Sequence, residues 1–412
     1  MPNDKKIMKK IMVLICVLTI STLNIGMARN DINNNHKIFR NIYVQETNIG
    51  GLNKEESINI LAEKYKPEPL KIKYQDKVFI INHEEIELEY NIENAVDKAY
   101  RYTHTDDKFE NIKRMYNLRF KEDHKINLDA TYNESKLSEI IQNLSKDLNI
   151  KVKNATIEIK DSGEILKQHS KEGKEIEIAK LKEEIYNMIT KNKIEAIDLP
   201  IKIILPSIST EDVDSINTIL GQYSTSFNEY NSRGSNIHVA GKSTSDIVIM
   251  PYETFSYNNT TGYRSYSNGY KSAKVIVGGK YVNGEGGGVC QVSTTIYNAA
   301  LLAGMEIDEV HNHTFPSRYA PKGRDAAVSY GYTDFKFKNP YSHPIYIKNI
   351  VNNGSITSKI YGCNQDLERI YIQTEEKYIK DKINVKTYRI YLDEEKNKIR
   401  EELVSNSIYK IK

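Results

Sequence analysis

The stretch Gly284–Gly304, GEGGGVCQVSTTIYNAALLAG, constrains the fold more than any other part of the chain. A run of glycines gives way to a segment in which Val292, Ile296, Ala299, Ala300 and Ala303 recur at helical spacing, with Cys290, Ser293, Thr294, Tyr297 and Leu301 on another side. Gly304 is placed to end that helix in a left-handed turn. Cys290 then falls on the first turn, where free backbone amides and the positive end of the helix dipole stabilise a thiolate. Gly286, Gly287 and Gly288 have no side chains, so a substrate can approach the backbone closely and the amides can hold an oxyanion.

A cysteine nucleophile needs a base. The following segment, MEIDEVHNHTFPSRYAPKGRDAAVSYGY, offers His311 and His313, then Asp325 ahead of a predicted strand through Val328, Tyr330 and Tyr332. In an extended segment both histidines point to one side, so either can face the helix start, with Asp325 orienting the imidazole. Gln291, Ser293 and Thr294 at the helix start, the three glycines and Arg324, which suits a carboxylate, are the candidate substrate-binding groups. Other readings of the same residues stay open. Cys290 can be a small apolar core residue with the histidines on the surface. Zinc held by Cys290, His311 and His313 suits the ligand types but not the short paired spacing, and a disulfide between Cys290 and Cys363 would remove both thiols. No metal or cofactor is the leading expectation, and Cys363, in KIYGCNQD at the end of a predicted strand, offers no independent chemistry.

The N-terminus bears on location. Lys5, Lys6, Lys9 and Lys10 precede the apolar run Ile11–Ile20, which continues to Ala28, the layout of an export signal or a membrane anchor over residues 1–30. The lysines keep that end in the cytoplasm and place the rest outside. Cys16, with Ile15 before it, reads as a buried span residue. The 58 basic and 55 acidic residues are spread along the chain without a dominant basic block, which gives no case for a dedicated nucleic-acid binder. A length of 412 residues is enough for two or three cores.

Two stretches beyond the signal share one order of elements. In the first, Asn53 and Glu56 form a helix cap, LKIKYQDKVFIIN is a hairpin, and Asn91 caps another helix. In the second, Leu137, Ile141, Leu144 and Leu148 share a helical face, ATIEIKDSGEIL is a hairpin, a helix runs through Leu181 and Ile185, and IDLPIKIIL is a strand. A duplicated α+β unit over 41–206 follows, then a hinge over 207–236 and a β extension or tail over 363–412. The histidines in the duplicated region sit among charged residues, so it reads as a binding or spacing element.

The residues NIGGLNKEESINIL and IDLPIKIILPSISTEDV resemble the YoaR-type peptidoglycan-binding domain. GEGGGVCQVSTTIYNAALLAGMEIDEVHNHTFPSRYAPKGRDAAVSYGYTDFKFKNPYSHPIYI resembles the VanW-like domain of exported proteins from Gram-positive bacteria, a family named from a glycopeptide-resistance gene cluster, and the likeness reaches upstream to about Leu220. The sequence departs from the family pattern at Tyr252 and at Ser243–Asp246, away from Cys290, His313 and Asp325. The resemblance implies an α+β protein working outside the cytoplasm, anchored or secreted, with a VanW-like domain over 220–362 and peptidoglycan as partner. The expected activity is peptidoglycan binding with cysteine-dependent cleavage or transfer at the peptide stem; the alternative is a noncatalytic wall-binding adaptor.

Overall fold

The computed structural model describes residues 36–191, 195–277 and 280–411. The fold is mixed α+β, and the chain separates into two compact units, the first ending at Ile150 and resuming over Lys174–Ile203, the second comprising Lys151–Gly173 and Ile204–Lys412. The predicted N-terminal signal or anchor lies outside the described residues. Among those described, no helix is long and apolar enough to cross a membrane.

In the first unit, α1 (Lys54–Lys64) begins on the predicted capping box: Glu56 N donates to Asn53 Oδ1 at 2.8 Å and Asn53 N donates to Glu56 Oε2 at 2.9 Å. There follow α2 (Ile92–Arg101), capped by Asn91, α3 (Lys108–Phe120), α4 (Glu134–Leu148) and α5 (Ile178–Thr190). Short strands between them complete two cores, one around Ile42, Val44, Leu61, Val96 and Leu118, the other around Leu70, Ile72, Leu137, Ile141, Leu181 and Ile185. Strand His124–Ile126 pairs in parallel with Ile42–Val44, and Ala196–Asp198 with Leu70–Tyr74, so elements from the two halves of the predicted duplicated region interleave.

The second unit includes the hairpin of Thr156–Ile159 and Ile165–Gln168, whose Ile157 and Ile159 share a core with Val213, Ile216, Tyr346 and Tyr361. After α6 (Thr210–Ser215), an antiparallel sheet runs in the order Thr218–Ser226, Ser355–Gly362, Ile345–Asn352, Ile247–Ile249. Three more helices are α7 (Ser232–Ser243), the short α8 (Tyr257–Thr261) and α9 (Val289–Leu302). Helix α9 packs on the sheet at Gly221, where a Cβ would stand 2.6 Å from Ala299 O, so only glycine allows this approach. Val292, Ile296, Tyr297, Ala299 and Ala300 are fully buried, and the helix is covered nearly all round. Its polar side chains must therefore find partners inside the protein.

Strands Thr254–Ser256, Lys336–Lys338 and Glu306–Glu309 form a second sheet, and Arg369–Ile379, Lys382–Leu392 and Lys398–Lys410 an antiparallel meander. The strand predicted through Val328, Tyr330 and Tyr332 is not formed; that segment carries only an isolated bridge between Ser329 and Thr333. Its backbone is held by side chains, among them Ser293, Thr294 and Asn258, and by a bond from Ala327 N to His311 O.

Candidate active site

Cys290 is the second residue of α9, and the turn before it is built by close packing. Gly286 and Gly288 have φ of +77° and +114°, which favours glycine at both. A Cβ would lie 2.9 Å from Arg264 Cβ at Gly286, 2.6 Å from Lys274 O at Gly287 and 2.9 Å from Arg233 O at Gly288. The Cβ direction at each of these glycines is filled by the protein itself, so the three residues serve the close packing of the turn. The fully buried Asn236 fixes the turn, donating through Nδ2 to Gly287 O and Lys271 O, both at 2.9 Å, and accepting from Lys271 N at 2.7 Å.

The structure brings Cys290, His313 and Asp325 together. His313 Nδ1 lies 2.6 Å from Asp325 Oδ2, and the same oxygen accepts from the His313 amide at 2.8 Å. Asp325 is 2 % exposed, and its other oxygen accepts from the hydroxyl of Tyr409, which itself accepts from Gly323 N at 2.7 Å. Burial acts to lower the imidazole, but the hydrogen bond to Asp325 and the interaction with the Cys290 sulfur outweigh it and raise His313 from 6.5 to about 10. Burial pushes the Cys290 thiol up, but hydrogen bonding and charge from His313, a backbone bond at Val328 and the charge of Arg264 bring it below its ordinary value. The Val328 amide donates to the sulfur at 3.5 Å. The lowered thiol and the raised imidazole together favour a thiolate–imidazolium pair on this half-buried cysteine.

The remaining predicted residues are elsewhere. His311 interacts through Nε2 with Glu309 Oε1 at 3.0 Å on the exposed side, because the strand ends at Glu309 and the histidines no longer share one side. Gln291 is 1 % exposed and fully engaged, Nε2 donating to Thr225 Oγ1 and Ser226 O and Oε1 accepting from Arg233. Ser293 Oγ donates to Ala326 O at 2.7 Å, and Thr294 Oγ1 accepts from Ala326 N at 3.0 Å; both residues are fully buried. These three side chains position the site from behind and do not face a ligand. Arg324 donates from Nε to Asn298 Oδ1 at 2.7 Å and stacks on Tyr223, and burial lowers it.

Sequence reasoning missed Tyr409, Tyr319 and Arg264. Tyr319 stands edge-on to His313, and burial together with the charges of Cys290 and Asp325 holds its phenol well above the ordinary range. Arg264 is 9 % exposed; Nη2 donates to Asn258 Oδ1 at 2.7 Å, while Nε and Nη1 are buried without a partner among the described residues. A run of tyrosines around Arg264 in TTGYRSYSNGY was the available signal, with nothing in it pointing to Cys290. A cavity of about 240 Å³ opens on the far side of Asp325, bordered by Asp308, Asn312, Ser405 and Ser407. Both described cysteines are free, so the disulfide alternative falls, and with His311 turned to Glu309 the zinc set of Cys290, His311 and His313 does not assemble.

Residues 232–361, which hold Cys290, His313 and Asp325, match the family described as VanW like protein. The chain carries a VanW-like domain. Residues 80–197 match the family described as "Putative peptidoglycan binding domain". The chain is 43% identical over 170 residues to the uncharacterized protein YoaR of Bacillus subtilis, covering 41% of this chain and 56% of that one. It is 26% identical over 135 residues to the vancomycin B-type resistance protein VanW of Enterococcus faecalis, covering 32% of this chain and 49% of that one. The chain thus spans about half the length of the curated relatives it matches. No solved structure matches it significantly. The two family matches support a cell-wall-associated protein.

Proposed function

We propose that the protein binds peptidoglycan outside the cytoplasm and cleaves or transfers an acyl group of the peptide stem through Cys290. Wall binding is supported by the domain matched over 80–197, and export by the lysines ahead of the apolar run Ile11–Ile20. The observation that carries the chemistry is the continuous chain from Cys290 through His313 to the buried Asp325 and Tyr409.

In this mechanism the thiolate attacks the carbonyl carbon, a C–S bond forms, and the carbonyl electron pair moves onto oxygen. The positive end of the α9 dipole stabilises that oxyanion. The tetrahedral centre collapses, the C–N bond breaks, and imidazolium His313 gives its proton to the leaving amine. Water, or an acceptor amine in a transfer reaction, then attacks the thioester and passes a proton back to His313, releasing Cys290. Asp325 keeps the imidazole oriented and favours its charged form throughout.

Mass spectrometry of muropeptides after incubation with the full chain tests this reading. Wild type is expected to change the stem-peptide products, while Cys290→Ser leaves them unchanged and still sediments with purified walls. Identical products from the two proteins, with wall binding intact, would instead establish a noncatalytic adaptor.

A further inference from the structure

A second group of chemistry-bearing residues lies at the end of the four-stranded sheet, on residues the mechanism does not use. His343, Cys363 and Asp366 bring one nitrogen, one sulfur and one carboxylate oxygen to within 4.8 Å of one another. Cys363 directly follows strand Ser355–Gly362 and opens a single helical turn, in which Asp366 N donates to Cys363 O at 3.0 Å and folds the two residues together. His343 Nδ1 reaches Asp366 Oδ2 at 3.0 Å. Both arms are anchored: the buried Asn339 donates to His343 O at 2.9 Å, and Asn364 N donates to Asn217 Oδ1 at 3.1 Å. The sulfur residue is 5 % exposed, whereas the imidazole is 30 % exposed and leaves a way in from solvent.

We propose that His343, Cys363 and Asp366 form a zinc site with water in its fourth position. A thiolate, a carboxylate and a neutral imidazole cancel the charge of a dication, which suits a largely buried place. The mixed sulfur, nitrogen and oxygen set matches the ligands of this borderline-soft ion. Bonds of about 2.0–2.3 Å hold zinc ligands roughly 3.5 Å apart, so the group needs to close by about an ångström at its widest. The Cys363 thiol loses its proton to solvent as the metal binds. This gives Cys363 a role that its position at a strand end does not suggest.

Cobalt titration of the reduced, metal-free full chain tests the site, because a cysteine-bound cobalt ion shows a thiolate charge-transfer band and zinc displaces it. The band is expected to saturate at a single equivalent, to persist in Cys290→Ser, and to vanish in Cys363→Ser. His343→Ala, at the more exposed ligand, is expected to weaken cobalt binding at least about tenfold and covers the case in which Cys363→Ser fails to fold. Absence of the band in wild type, its loss in Cys290→Ser, or unchanged binding in His343→Ala each overturns the assignment.

Discussion

Replacing His313 by glutamine removes the group that most lowers the Cys290 thiol and leaves the burial that raises it. The rise of His313 from 6.5 to about 10 corresponds to about 5 kcal/mol of preference for the imidazolium. That preference rests on two partners, Asp325 and the Cys290 sulfur. Coupling between the imidazolium and the sulfur is reciprocal, so losing the imidazole raises the Cys290 thiol and lowers its thiolate population at neutral pH in His313→Gln. Iodoacetamide alkylation of the full chain, with the Cys290 peptide quantified by mass spectrometry, reads this directly and separates it from Cys16 and Cys363. Wild-type Cys290 should react at a lower pH than an ordinary thiol, and His313→Gln at a higher pH than wild type. Asp325→Asn should fall between the two, since it weakens the imidazolium without removing it. Superimposable pH profiles for wild type and His313→Gln would refute the ion pair.

The same pair shapes stability against pH. His313 contributes stability that is complete below 6.5 and is lost as pH rises towards about 10, while the lowered Cys290 thiol gains stability with rising pH up to 9.0, so the two offset in wild type. Cys290→Ala is therefore expected to lose stability more steeply than wild type as pH rises above 6.5, by at most about 1.4 kcal/mol per pH unit, read by urea titration; parallel curves would contradict this. Tyr409→Phe leaves the Gly323 amide unpaired and takes a donor from Asp325, costing about 1–3 kcal/mol in thermal unfolding, and an unshifted melt would show those bonds to be unimportant. Gly287→Ala drives a methyl to 2.6 Å from Lys274 O and should destabilise by about 1–3 kcal/mol or more, whereas a fully stable variant would show that the turn has room.

What could be read from the sequence was local. The Asn53 cap, the hairpins and the apolar spacing of α9 depend on residues a few positions apart, and the structure forms them. Cys290, His313 and Asp325 were legible as types in order, but the choice of His313 over His311 turns on the strand ending at Glu309, which alternation does not predict. Tyr409 lies 84 positions beyond Asp325 in an ordinary β pattern, so nothing local marks it. Gln291, Ser293 and Thr294 looked like ligand groups because polar residues at a helix start usually face something polar. Here that partner is the protein's own backbone, which a helix covered on all sides must satisfy internally.

Those internal bonds explain how a segment without regular strand pairing can hold a reactive pair. Ser293 takes Ala326 O, Thr294 takes Ala326 N, and Asn298 donates to Arg324 O at 2.8 Å, so the residues on both sides of Asp325 are tied to α9. The helix that bears Cys290 therefore also sets the position of Asp325, along little more than two turns. Only His313 has to be placed independently, and Asp325 does so through both its ring and its amide. Each tether adds about 1 kcal/mol, and losing one leaves a buried backbone group unpaired at comparable or greater cost. Ser293, Thr294 and Asn298 are thus the frame that relates nucleophile to carboxylate, and disturbing them should move the thiol chemistry although each bonds to the protein's own backbone.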